Sequence, residues 1–192
     1  MSVIKKRTAK AEIVSTILQY DTEDRLTLHG GADSSRTAAA SETTTLTTDC
    51  TISEESGRIE IEYNESEITG MEGSTTRICF DQKNPTLVSL TREGTVSTAL
   101  VFEQGRRHFC MYETPYFPIE LCVSTVHMNN AISFSGGVFS AEYLVEMGGT
   151  LTEKTNLKLS ILNCGQKWLR SILKKKQKTP TALIFCSVKK TI

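Results

Sequence analysis

From about residue 43 to 162 the chain alternates apolar and polar residues with a period of two. That is the spacing of strands that bury one face. Gly-containing turns interrupt the alternation at short intervals: Thr69-Gly70, Glu72-Gly73, Glu93-Gly94, Gln104-Gly105, Gly136-Gly137 and Gly148-Gly149. Many short strands spaced in this way predict an antiparallel sandwich or barrel. The candidate strands are 11–20, 43–52, 58–67, 74–81, 86–92, 95–102, 106–113, 118–127, 137–147 and 153–162. Eight to ten of them are enough to close a small barrel. Pro85, Pro115 and Pro118 fall at strand ends or between strands, where a missing N–H donor costs little.

Several faces can be read directly. Ile119, Leu121, Val123 and Thr125 share one side of their strand, as do Phe139, Ala141, Tyr143 and Val145 of the next. Leu157, Leu159 and Ile161 oppose Asn156, Lys158 and Ser160. One sheet face is therefore apolar and the other wet, as antiparallel sheets allow. Tyr143 reads most simply as core. Residues 29–42 are small and polar with no period, which predicts a flexible loop. In the tail, Trp168, Leu169, Ile172 and Leu173 form a stripe among basic residues, which predicts a short amphipathic helix ending at Thr179-Pro180.

One strand poses a question. Ile59, Ile61 and Tyr63 alternate as core residues, and the same alternation continues to Glu65 and Glu67. Folding residues 61–80 about Gly70 pairs Ile61 with Phe80, Tyr63 with Ile78, Glu65 with Thr76 and Glu67 with Ser74. The apolar pattern holds these faces, because a one-residue slip would turn Ile78 and Phe80 into water. The acidic part of the inner face then lies beside the turn, at the barrel mouth. Interior carboxylates are costly when dry and unpaired; at a mouth they stay hydrated or meet a cation. On the opposite face Arg77 can reach the acids, among them Glu62.

The next meander is harder to orient. Arg92-Glu93-Gly94-Thr95 resembles a two-residue hairpin loop, and Glu103-Gln104-Gly105 a three-residue turn. This pairing places Leu87, Val96, Leu100 and Phe102 on one face with Arg106, His108, Cys110 and Tyr112. Val88, Leu90, Ala99, Val101, Phe109 and Met111 fall on the other. Both faces carry apolar residues, so period alone leaves the orientation open; the first is favoured as interior.

Composition narrows the setting. No apolar run approaches the roughly 20 residues of a membrane helix, and "MSVIKKRTAK" lacks the apolar core of a secretory signal. Six cysteines occur without a C-x-x-C pair, which favours reduced, structural thiols in a cytoplasmic protein. The net charge of zero is uneven: eight of the 22 Lys/Arg and none of the 22 Asp/Glu follow Leu162, which leaves the first 162 residues at −8. An acidic body argues against nucleic acid as the barrel's partner. The division expected is an N-terminal segment 1–10, a barrel domain 11–162 and a basic tail 163–192.

"YNESEITGMEG" (Tyr63–Gly73), "REG" (Arg92–Gly94), "VFEQG" (Val101–Gly105), "YETPYF" (Tyr112–Phe117) and "GGVFSAEY" (Gly136–Tyr143) resemble the YwiB-like family. These are uncharacterised bacterial barrels of calycin type, related in shape to lipocalins. The family pattern Tyr-x-Glu-x-Glu-x-Thr-Gly is met by Tyr63, Glu65, Glu67, Thr69 and Gly70. The resemblance spans roughly residues 11–162. It departs at Phe117, where the family usually has Gly, in the longer 29–42 segment, and in the tail. It implies an up-and-down calycin-like barrel and a bacterial cytoplasmic setting. It implies no reaction, and fold alone assigns none.

No G-x-S-x-G, H-E-x-x-H, P-loop or dinucleotide fingerprint is present. His29 and His127 show no metal-ligand spacing with each other or with Cys, so no metal site is expected, and no cofactor either. The leading expectation is a non-enzymatic binder of a small, largely apolar or amphipathic ligand in the barrel interior. Its site residues would be Tyr63, Glu65, Glu67, Phe102, His108 and Tyr112, with Ile78, Phe80 and Leu100 completing the wall. His108 with Tyr112 and Arg106 would suit an anionic ligand group. One alternative is an enzyme using Glu65 and Glu67, or His108, at the mouth. Another is an interaction protein whose basic tail contacts a partner, an anionic membrane or RNA.

Overall fold

In the computed structural model, which describes residues 3–20 and 38–162, the alternating segments become ten antiparallel strands. They are β1 Lys5–Tyr20, β2 Ala38–Glu55, β3 Arg58–Asn64, β4 Thr75–Asp81, β5 Asn84–Glu93, β6 Ser97–Glu103, β7 Arg107–Glu113, β8 Pro118–Asn130, β9 Gly137–Met147 and β10 Thr150–Leu162. Each strand pairs with its neighbour in sequence, and β1 pairs with β10, so an up-and-down barrel closes. The seam between β6 and β7 is the thinnest, with only the Ser97–Glu113 and Thr98–Tyr112 rungs paired. The predicted tail helix, Cys164 and Cys186 lie outside the described residues.

Two strands begin five or more residues earlier than the alternation predicts. β1 starts at Lys5 rather than residue 11, and β2 at Ala38 rather than residue 43. The last five residues of the predicted 29–42 loop are thus strand. β1 and β2 pair from Lys5–Glu54 to Tyr20–Ala38. Ladder hydrogen bonds from the partner strand satisfy the backbone there, without an apolar stripe.

The register corrects two hairpins. β3 and β4 pair Ile61 with Ile78 and Tyr63 with Thr76, and Glu65 N–H donates to the Ser74 carbonyl at 2.9 Å. The shift from the predicted pairing is two residues, so the faces of the paired residues survive. In the next hairpin Arg92 pairs with Thr98 rather than Thr95, and the loop is 94–96. The loop is longer because Val96 is buried and bonded to Ser74: Val96 N–H donates to Ser74 Oγ at 3.1 Å. That shift is odd, so it reverses the faces of β5. Val88 and Leu90 point inward and Leu87 is exposed, whereas Leu100, Phe102, His108, Cys110 and Tyr112 keep the inner side.

One half of the interior is filled. Ile52, Ile59, Ile61, Ile78, Phe80, Val88, Phe102, Phe139, Leu159 and Ile161 pack there as one cluster. Burying each such side chain contributes roughly 1.5–3 kcal/mol. The connection from β8 to β9 folds under this end. Ile132 joins the core, and Arg7 Nε donates to the Phe134 carbonyl at 2.6 Å, with its guanidinium 5.6 Å from the Phe134 ring centre. The β3–β4, β5–β6, β7–β8 and β9–β10 connections all lie at the opposite end, which is the hollow one.

Candidate functional site

The strand ends at that side enclose a cavity of about 560 Å³. Most of its wall surface is apolar, with Ile13, Leu46, Leu90, Leu100, Leu121 and Val145 contributing. The β3–β4 connection lies over the rim with Thr69, Gly70 and Met71. Its local structure explains the Tyr-x-Glu-x-Glu-x-Thr-Gly pattern. Tyr63 and Glu65 end the strand pointing inward and buried. Glu67–Thr69 then form one 3-10 turn, Thr69 Oγ1 donates to the Ser66 carbonyl at 2.8 Å, and Gly70 ends the turn at φ 69°. That left-handed conformation favours glycine.

An ion pair sits in the cavity wall. Arg92 Nη2 lies 3.2 Å from Glu65 Oε1, Arg92 Nε donates to Thr76 Oγ1 at 3.1 Å, and Thr76 Oγ1 donates to Glu65 Oε1 at 2.6 Å. The Glu65 and Arg92 side chains are 2% and 12% exposed. A carboxylate this dry needs such partners. Beside it, burial, and secondarily the Glu65 charge, pushes the Tyr63 phenol well above its ordinary range. Burial likewise pushes Tyr143 up to about 12. Both phenols therefore stay protonated near neutrality.

The opposite wall carries a second carboxylate. Glu153 lines the cavity with Thr155 and Leu157, and among the described residues it has no hydrogen-bond or ion-pair partner. Burial raises its pKa above the usual carboxylate value. Thr98 and Thr155 are also buried and line the cavity. Their hydroxyls face the Cys110 thiol and the Tyr143 phenol respectively, but neither closes a hydrogen bond.

The residues singled out from sequence are dispersed. Tyr63, Glu65 and Tyr112 line the cavity. Phe102 lies beneath it in the filled core, its ring centre 5.0 Å from that of Tyr143. Ile78 and Phe80 are in the same core rather than on the wall, whereas Leu100 is on the wall. Glu67 does not share the Glu65 face: the chain leaves the strand at Asn64, and Glu67 is exposed in the turn. His108 sits toward the Gln104–Gly105 end, away from the mouth, with Nε2 3.4 Å from Glu103 Oε2 but without hydrogen-bond geometry. Arg106 is on the surface, 3.8 Å from Glu103, so it forms no anion site with His108 and Tyr112. Among the described residues no three His, Cys, Asp or Glu side chains converge as metal ligands.

Arg92, Glu153 and the wall position of Tyr143 were not found from sequence. The odd shift in the β5 register hid Arg92. Glu153 was open to view, because stepping back by twos from Leu157 reaches Thr155 and then Glu153.

The model of a domain of unknown function, DUF1934, matches residues 31–159. Among solved structures, the crystal structure of the ywiB protein from Bacillus subtilis matches with a TM-score of 0.58 at 13% identity. The match covers 81% of this chain and 94% of that one. No curated protein matches. Both findings bear out the YwiB-like resemblance, and at this identity the structural match speaks for the fold alone.

Proposed function

The chain belongs to the DUF1934 family of domains of unknown function, and from that starting point we propose that it binds a small, largely apolar ligand inside the barrel without catalysing a reaction on it. One observation carries the reading. The hollow half of the barrel is a cavity of about 560 Å³ whose wall surface is mostly apolar, with polar side chains set among the apolar ones. Ligand sites commonly enclose ~300–1,000 Å³ and have this make-up.

The arrangement gives less support to acid–base chemistry at the mouth. Glu65 is held by Arg92 and Thr76, Glu67 faces outward, and His108 lies toward the other end. A reacting pair needs groups within hydrogen-bond reach of one substrate atom. The up-and-down strand order and the one-ended cavity support a calycin-like reading, here with ten strands. The described cysteines Cys50, Cys79, Cys110 and Cys122 are free thiols, which supports a reducing, cytoplasmic setting. No helix among the described residues is long and apolar enough to cross a membrane.

The test is titration with the neutral fluorescent probe N-phenyl-1-naphthylamine. The wild-type chain is expected to bind it saturably, one probe per barrel. Val145→Trp, which fills the cavity from β9, is expected to lose at least about tenfold in affinity while keeping its strand circular dichroism. Overpacking of this kind costs about 1–3 kcal/mol of stability. Probe binding that is unsaturable, or indifferent to Val145→Trp, would contradict the reading.

A further inference from the structure

The charge balance of the cavity deepens this reading and rests on it. Two carboxylates, Glu65 and Glu153, and one guanidinium, Arg92, line the cavity among the described residues. Arg92 is committed to Glu65 at 3.2 Å, so the pair is close to neutral. Glu153 remains as the unmatched charge, on the opposite wall.

Its inward aim is built into β10. The Gly148-Gly149 turn pairs Thr150 with Met147 and Leu151 with Glu146. Continued without interruption, that register would set Glu153 against Leu144, on the outer face. A bulge at Thr152 shifts the pairing by one, so Glu153 faces Val145, whose side chain is buried in the barrel. Thr152 Oγ1 secures the bulge by donating to the Val145 carbonyl at 3.0 Å. Bulges of this kind re-aim side chains and are frequent beside functional sites.

Among the described residues, the surroundings of Glu153 offer it no cation. β1 places Gln19 and Ile17 opposite Glu153 and Thr155. β9 places Val145 and Tyr143 there. Lys154 points the other way, to Glu142 at 2.6 Å. Arg92 is the one cationic side chain lining the cavity among the described residues, and it is taken by Glu65. Two residues further along the same face, Thr155 is 2% exposed, and its hydroxyl faces the Tyr143 phenol without closing a hydrogen bond. A carboxylate and a hydroxyl thus look into an apolar hollow from one strand.

We infer that the ligand is an amphipathic amine, its aliphatic body in the hollow half of the barrel and its protonated amino group on the Glu153 carboxylate, with Thr155 Oγ1 as a second acceptor. An ammonium satisfies both groups, since it carries three donors and no acceptor. A charge-assisted contact is also the stronger kind. Binding of a cation requires Glu153 ionised. Because burial raises its pKa above 4.5, affinity for the amine is full at pH 8 and falls as pH descends through the raised value.

The experiment is calorimetric titration of the full chain with octylamine, octan-1-ol and octanoate, three probes that share a tail and differ in head group. At pH 8 octylamine is expected to bind at least about tenfold tighter than octan-1-ol, and octanoate weaker than both. Glu153→Gln is expected to erase the amine preference, octylamine then binding no tighter than octan-1-ol in the same variant. In the wild-type chain, acidification toward pH 5 is expected to weaken octylamine and not octan-1-ol, an arm independent of whether the variant folds. Equal affinities, an octanoate preference, or an amine preference that survives Glu153→Gln would overturn the amine assignment and leave the cavity reading intact. No binding by any of the three would overturn both.

Discussion

Glu65 keeps its charge in a nearly dry wall because Arg92 and Thr76 reach it, and that dependence can be measured. Removing one partner of a buried pair strands the other charge, which typically costs about 3–5 kcal/mol. Arg92→Met is expected to lower the urea-denaturation stability by about that amount. The double variant Glu65→Gln/Arg92→Met is expected to recover much of the loss, since no lone charge remains. A single-variant loss below about 1 kcal/mol would mean that Glu65 is hydrated rather than held. Glu153 is the contrasting case: it is less buried, has no partner among the described residues, and its pKa is shifted upward by desolvation. The two carboxylates share a cavity, but one is structurally satisfied and the other is open to a ligand.

At the scale of strands, three inner faces share a plan. Ile61-Tyr63-Glu65 along and just past β3, Val88-Leu90-Arg92 on β5 and Leu157-Thr155-Glu153 on β10 each run from core to charge toward the hollow end. The first was legible because the register holding Ile78 and Phe80 inside also carries Glu65 inward. The second was not. Its hairpin loop is one residue longer than Glu93-Gly94 suggests, and period two cannot tell which face of β5 is inner when both are apolar. Glu67 failed for another reason: alternation has no meaning once the chain turns at Ser66. The loop itself is tied down at Gly94. There φ is 138°, and an added Cβ would lie 2.3 Å from the Gly73 carbonyl oxygen. Gly94→Ala is therefore expected to destabilise the protein by about 1–3 kcal/mol or more, read as a lower melting temperature. A neutral effect would show that the two loops do not cross closely.

The molecule as a whole is a barrel packed at one end and hollow at the other. Strand number, antiparallel order and closure were legible, because each strand keeps its alternation and its turns are short. The division into two halves was not. It depends on which rungs carry isoleucine and phenylalanine on all sides at once, and that is fixed by ten registers together rather than by any one strand. Phe102 illustrates this: it sits on the inner face, as expected, but one layer too deep to meet a ligand.

The central claim is that the hollow half is a receptacle and not a packing remnant. A crystal structure of the full chain soaked with octan-1-ol tests it most directly. The expected result is a single ordered alkyl chain between Leu100, Leu121 and Val145, with its head group toward the Glu153 wall. A cavity closed by collapsed side chains, or an empty one in the presence of the alcohol, would contradict the account.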